Sequence, residues 1–156
     1  MRNLAGRLSW KHASVVIALA TVVPPYTTFL YGFGGHDGHV SIATYALLWA
    51  IYPPESSMSG LQVLTYYALS TGLSLGFFNI IFAFQVIRFT RGATSKRNTL
   101  LVGALTLVLP ITSLIVAFPT MISSGAFVYI GPIPIQLITG LLLMHLAGPK
   151  EPVSPW

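Results

Sequence analysis

The chain has 156 residues, 54% of them hydrophobic, with eight Lys/Arg, three Asp/Glu and a charged fraction of 7%. A water-soluble domain wets its surface with about a quarter charged residues, so this composition excludes an ordinary soluble domain. A mean hydropathy of +0.75 likewise excludes a disordered chain or a collagen-like fibre, and an integral membrane protein is what remains.

Four stretches are apolar over roughly the 20 residues that a helix needs to cross a bilayer: 13–33, 61–87, 99–118 and 126–147. None contains Asp, Glu, Lys or Arg. The expected fold is an all-α integral membrane protein, a single domain over 1–156 built as a four-transmembrane-helix bundle. The first run follows basic residues as a signal peptide would, but Pro24-Pro25-Tyr26 stands where a small-x-small cleavage site would be. It reads as a retained helix.

Arg2, Arg7 and Lys11 precede the first span; Arg88, Arg91, Lys96 and Arg97 separate the second from the third; Lys150 follows the fourth. The connections 31–60 and 119–125 hold no Lys or Arg. Alternate loops therefore take every positive charge, which by the positive-inside rule places both termini and the 88–98 loop in the cytoplasm of a multi-pass cell-membrane protein. The pI near 9.8 then reflects topology, and no nucleic-acid partner is implied.

Helices in lipid associate through small residues that let backbones approach and through polar side chains that find partners. The second span carries Ala68, Gly72, Gly76 and Asn79 at helical spacing; Gly103 lies in the third and Gly140 in the fourth. These residues predict a packing face inside the bundle, or an oligomer face if the Gly72/Gly76 GxxxG points outward. Proline at 24–25 and at 110 predicts kinks in the first and third spans, with Thr21 and Thr106 placed to satisfy the disturbed backbone.

Between the first two spans, the run 41–52 is too short to cross and predicts a short outer-face interfacial helix or strand, the strand form pairing with 123–130. Tyr45, Trp49 and Tyr52 share one face of the helical version and form a candidate surface for a partner. His36, Asp37 and His39 form a candidate metal site, because two imidazoles and a carboxylate suit zinc or copper. His12 and His145, at the cytoplasmic ends of the first and fourth spans, are candidate axial ligands for a haem.

The chain lacks cysteine, which excludes disulfides, thiolate metal sites and a Cys nucleophile. It also lacks H-E-x-x-H and a phosphate-binding glycine loop, and no carboxylate or lysine lies within a span. No catalysis and no cofactor are expected. The expected function is association, as a small structural or accessory subunit of a membrane assembly, whose partners are the lipid bilayer and either itself or other membrane proteins. The alternative is an oligomeric channel or carrier for a neutral or weakly polar solute, and the third reading is a haem- or metal-bearing electron-transfer subunit.

Four spans with both ends inside and a larger first outer loop resemble the layout of claudins and tetraspanins. Leu47-Leu48-Trp49 resembles the Gly-Leu-Trp of the claudin outer loop, although the paired cysteines that follow that motif are absent here. What the resemblance implies, by analogy of layout alone, is a role in adhesion or assembly.

Overall fold

The computed structural model describes residues 8–33, 40–124 and 131–147. In chain order these form α1 (Trp10–Val22), β1 (Thr27–Phe33), β2 (Val40–Tyr45), β3 (Trp49–Tyr52), β4 (Gly60–Val63), α2 (Tyr66–Thr90), α3 (Lys96–Leu105), α4 (Val108–Ser124), β5 (Gly131–Pro132) and α5 (Ile135–Leu146). The strands make one antiparallel sheet in the order β4-β3-β2-β1-β5. The expectation of an all-α four-helix bundle is therefore wrong. The chain from Thr27 to Val63 supplies a four-stranded meander, not one interfacial element, taking in the end of the expected first span and the start of the second, and Gly131–Pro132, inside the expected fourth span, adds a strand to it.

The correction has a local cause. Ser9 caps α1 by accepting from His12 N, and the helix then runs only 13 residues, about 20 Å at the usual helical rise. Pro24-Pro25 ends it instead of kinking it, because two consecutive residues lack an N–H. The β-branched and aromatic stretch that follows, Thr27-Thr28-Phe29, suits a pleated sheet better than a helix. Pro132 and Pro134 similarly hold the start of α5 at Ile135.

Two helical runs are long and apolar enough to cross a membrane: Tyr66–Thr90, and Lys96–Pro119 taken across the turn between α3 and α4. That turn lies just before Pro110. Thr106 N donates to Gly103 O and Leu107 N to Ala104 O, so the chain tightens and Pro110 falls in the first turn of α4, where its missing N–H leaves no bond unmade. Thr106 Oγ1 donates to Gly103 O at 2.6 Å, satisfying an oxygen at the break.

Between α2 and α3 the chain reverses at Gly92, whose φ of +74° suits a residue without a Cβ. Gly92 N donates to Phe89 O and Ala93 N to Arg88 O, the paired bonds of a Schellman motif. α3 then starts from Ser95, which accepts from Asn98 N.

Two cores result. In the first, Ala13 and Ile17 of α1 meet Phe82, Ala83 and Val86 of α2 and Leu143 of α5, with Ala147 just beyond α5. The start of α1 thus lies beside the ends of α2 and α5, so α1 runs opposite to both. In the second, Tyr26, Ala43, Tyr45, Leu47, Ala50 and Tyr52 pack against Ala68 at the start of α2. The sheet therefore covers the end of the helices opposite the α2–α3 turn, while α4 packs against β1 and β5.

Candidate functional site

Every residue of the predicted small-residue face is buried: Ala68, Gly72, Gly76 and Asn79 on α2, Gly103 on α3 and Gly140 on α5. Their neighbours explain why small residues stand there. A Cβ on Gly72 would come within 2.5 Å of Leu47 O and 2.7 Å of Ala46 O, and one on Gly76 within 3.1 Å of Leu47 Cδ1. The GxxxG thus seats the β2–β3 turn on α2 and leaves no outward face for a second helix at these glycines. On the other helices, a Cβ at Gly103 would meet the Phe82 ring at 2.9 Å, and at Gly140 at 2.5 Å.

Polar groups fasten the same places. Tyr26 Oη donates to Gly72 O at 2.7 Å. Burial first, and the phenol of Tyr45 second, push the Tyr26 hydroxyl well above the ordinary tyrosine range, so this residue, beyond the end of α1, stays a neutral donor. Deeper in the helices, Gln136 Nε2 donates to Thr21 Oγ1 at 2.8 Å and to Asn79 O at 2.7 Å. Thr21 Oγ1 in turn donates to Ile17 O at 2.7 Å, so three helices share one hydrogen-bonded node.

The predicted aromatic surface is divided by the sheet. The Tyr45 and Tyr52 rings stack edge to face, with centroids 5.8 Å apart, on the face that packs on α2, and both are buried. Trp49 lies on the opposite face and donates its indole N–H to Val23 O at 2.8 Å, satisfying a carbonyl just past α1. The helical spacing of these residues does not apply, because the turn at 46–48 interrupts the run and Ala46 N donates to Trp49 O across it.

The sequence reading missed the surface on Trp49's side. The register pairs Trp49 with Val63 and Ile51 with Leu61, which puts four apolar side chains together around an open hollow of about 310 Å³. Ile51, Leu61, Val63 and the neighbouring Leu64 are all exposed. β4 is also the edge of the sheet. The period-two alternation of 60–63 is the trace that would have identified it, but hydropathy merges those residues with α2.

The two loops are joined at the other edge. Thr27 Oγ1 donates to Gly131 O, Gly131 N to Thr28 Oγ1, and Ile133 N to Tyr26 O. β5 thus pairs with β1, the strands within 41–52 take their partners from β1, from each other and from β4, and of the expected partner stretch 123–130 residues 125–130 lie outside the described residues.

Among the candidate metal and haem ligands, His36, Asp37 and His39 lie outside the described residues. His12 and His145 are exposed, and His12 Nδ1 lies 2.7 Å from Ser9 Oγ at the cap of α1. Among the described residues no cluster of three or more His, Cys, Asp or Glu could hold a metal ion.

The charges are segregated. Lys11, Arg88, Arg91, Lys96 and Arg97 are all exposed at the start of α1 and around the α2–α3 turn. Glu55, the acidic residue among the described positions, stands at the sheet end and accepts from Ser41 Oγ at 2.9 Å. No family model matches the chain, and no curated protein or solved structure shows significant similarity to it.

Proposed function

We propose that this chain is a multi-pass membrane protein that works by association, with the sheet on the outer side and the basic end in the cytoplasm. Its partner is a membrane neighbour, either another copy or another subunit of an assembly, and the contact is made along β4. The observation that carries this reading is the unprotected edge. Sheet edges in stable monomers are blunted by lysine, proline, bulges or a covering element. Gly60-Leu61-Gln62-Val63 is short but carries no lysine or proline, no element among the described residues pairs with its outer side, and Leu61 and Val63 are 62% and 53% exposed.

The membrane makes the argument stronger. On the outer side water can satisfy the backbone N–H and C=O groups of an open edge, but close to the bilayer it competes with hydrocarbon, which cannot. A strand from a neighbour would satisfy them and bury the apolar hollow of Trp49, Ile51, Leu61 and Val63 in the same step. The segregation of charge supports the orientation, because the cytoplasmic side of membrane proteins collects Lys and Arg.

Light scattering on protein purified in a mild detergent tests the reading. The expected particle contains more protein than one 16.8 kDa chain, either as copies or with a second subunit identified by mass. The double variant Leu61→Lys/Val63→Lys is expected to yield the single folded chain. A wild type that is a lone, folded monomer in every mild detergent would overturn the proposal.

A further inference from the structure

At the end of the helices away from the sheet, cations gather around aromatic rings. The Arg91 guanidinium lies 4.6 Å from the centroid of the Trp10 ring and the Lys11 ammonium 5.9 Å from it, so one indole holds two cations. Arg88 lies 6.0 Å from the Phe84 ring, and its Nη2 donates to Ala93 O at 3.4 Å. Lys96 and Arg97 follow within a few residues, in the first turn of α3, where the helix dipole is already positive.

Five cations are thus gathered at this end of the molecule. Among the described residues none of them meets a carboxylate, and Glu55 is at the far end of the molecule. Like charges held this close repel one another, and an isolated protein would spread them into solvent. Here three are held in place by rings that are themselves exposed, Trp10 at 41% and Phe84 at 60%. Ile80, one turn before Phe84 on α2, is exposed, as are Val15 and Val16 farther along α1, so the cations stand at the end of exposed apolar stretches of both helices. Indole and guanidinium at that level suit the headgroup layer, with the ring toward hydrocarbon and the fork toward phosphate.

We propose that this corner is a binding site for phosphate-bearing anionic lipid headgroups. Arg91 and Arg88 supply the forked donors, Lys11, Lys96 and Arg97 add charge, and Trp10 fixes the direction of Arg91. Orientation by the positive-inside rule depends only on the number of charges. A site depends on their arrangement, and the two separate experimentally. The inference rests on the membrane reading and is independent of any pairing along β4.

The test is native mass spectrometry of the purified full chain released from mixed micelles containing phosphatidylglycerol and phosphatidylcholine. The expected result is preferential retention of phosphatidylglycerol, falling roughly fivefold for each arginine lost in Arg88→Gln and Arg91→Gln. Trp10→Leu leaves the net charge unchanged and is expected to weaken retention as well. Soluble glycerol phosphate is expected not to displace the lipid. If the arginine variants fail to fold by circular dichroism, Lys96→Gln/Arg97→Gln carries the same expectation. Equal retention of the two lipids, a preference that survives all these substitutions, or displacement by glycerol phosphate would each overturn the proposal.

Discussion

The ring of Phe82 lies directly on the bare Cα of Gly140, so that a methyl group there would stand 2.5 Å from both Cε1 and Cζ. The other side of the same ring faces Gly103, and Phe82 is fully buried. One aromatic side chain on α2 is thus clamped by glycines of α3 and α5. On the proposed membrane reading, where burying an apolar group in lipid gains little, this fit holds the helices at close range.

Gly140→Ala is expected to lower the unfolding free energy by about 1–3 kcal/mol, the range for an overpacked interior. The ring has no empty side to move into, since Gly103 blocks the alternative. In a Phe82→Leu background the same alanine should cost less, giving a coupling of at least about 0.5 kcal/mol in a double-mutant cycle. Equilibrium unfolding in detergent measures both, and strict additivity would refute the clamp.

At Gly72 the obstacle is backbone. A Cβ there meets the carbonyl oxygens of Ala46 and Leu47, which have no rotamer through which to withdraw. Gly72→Leu is therefore expected to destabilise the single chain by more than Gly140→Ala does. Tyr26→Phe, which removes one hydrogen bond to Gly72 O, should cost only about 0.5–1.5 kcal/mol. Thermal unfolding of the monomeric fraction tests the order. A Gly72→Leu chain that stays folded and loses only an oligomer would show that the glycine faces outward.

Residues 66–90 were legible because α2 runs at one helical period throughout, so Ala68, Gly72, Gly76 and Asn79 fall on the buried face their spacing indicates. The sheet was not legible. Hydropathy sums apolar residues without regard to backbone, and Thr27–Phe33 and Gly60–Val63 extend neighbouring helices in any such sum. Proline at 24–25 and the β-branched pair Thr27-Thr28 were the local marks of the change. Tyr45 and Trp49 are four apart, an interval that fits both a helix face and a strand face, and only the turn at 46–48 resolves it. The edge of β4 was invisible for a different reason: which strand lies last in a sheet is a property of long-range pairing.

The Gln136 node tests how much a hydrogen-bonded contact between helices contributes. Both Nε2 hydrogens are used, one on Thr21 Oγ1 and one on Asn79 O. Gln136→Leu should destabilise by about 1 kcal/mol, since such bonds between membrane helices are individually modest. Gln136→Glu removes both donors and places a carboxylate against two oxygens, and a loss of about 3–5 kcal/mol is expected at neutral pH. Unfolding measurements in which the two variants are equivalent would show that Gln136 is not a donor in the folded chain.

Orientation is testable with unusual directness because the chain has no cysteine, so any introduced thiol is the only one. Ser59 is exposed in the turn before β4, and Ala93 is exposed beside Gly92 among the cations. With the sheet outside, Ser59→Cys should react with a membrane-impermeant maleimide on intact cells. Ala93→Cys should react only after the membrane is opened. The physical cause is the charge bias: Arg88, Arg91, Lys96 and Arg97 resist translocation, while 40–65 carries no Lys or Arg to oppose it. Converting those four cations to glutamine in the Ser59→Cys chain should therefore make its labelling partial, because the inward bias of the middle loop is gone. Full labelling of Ala93→Cys on intact cells would invert the assignment and with it the cytoplasmic placement of the basic corner.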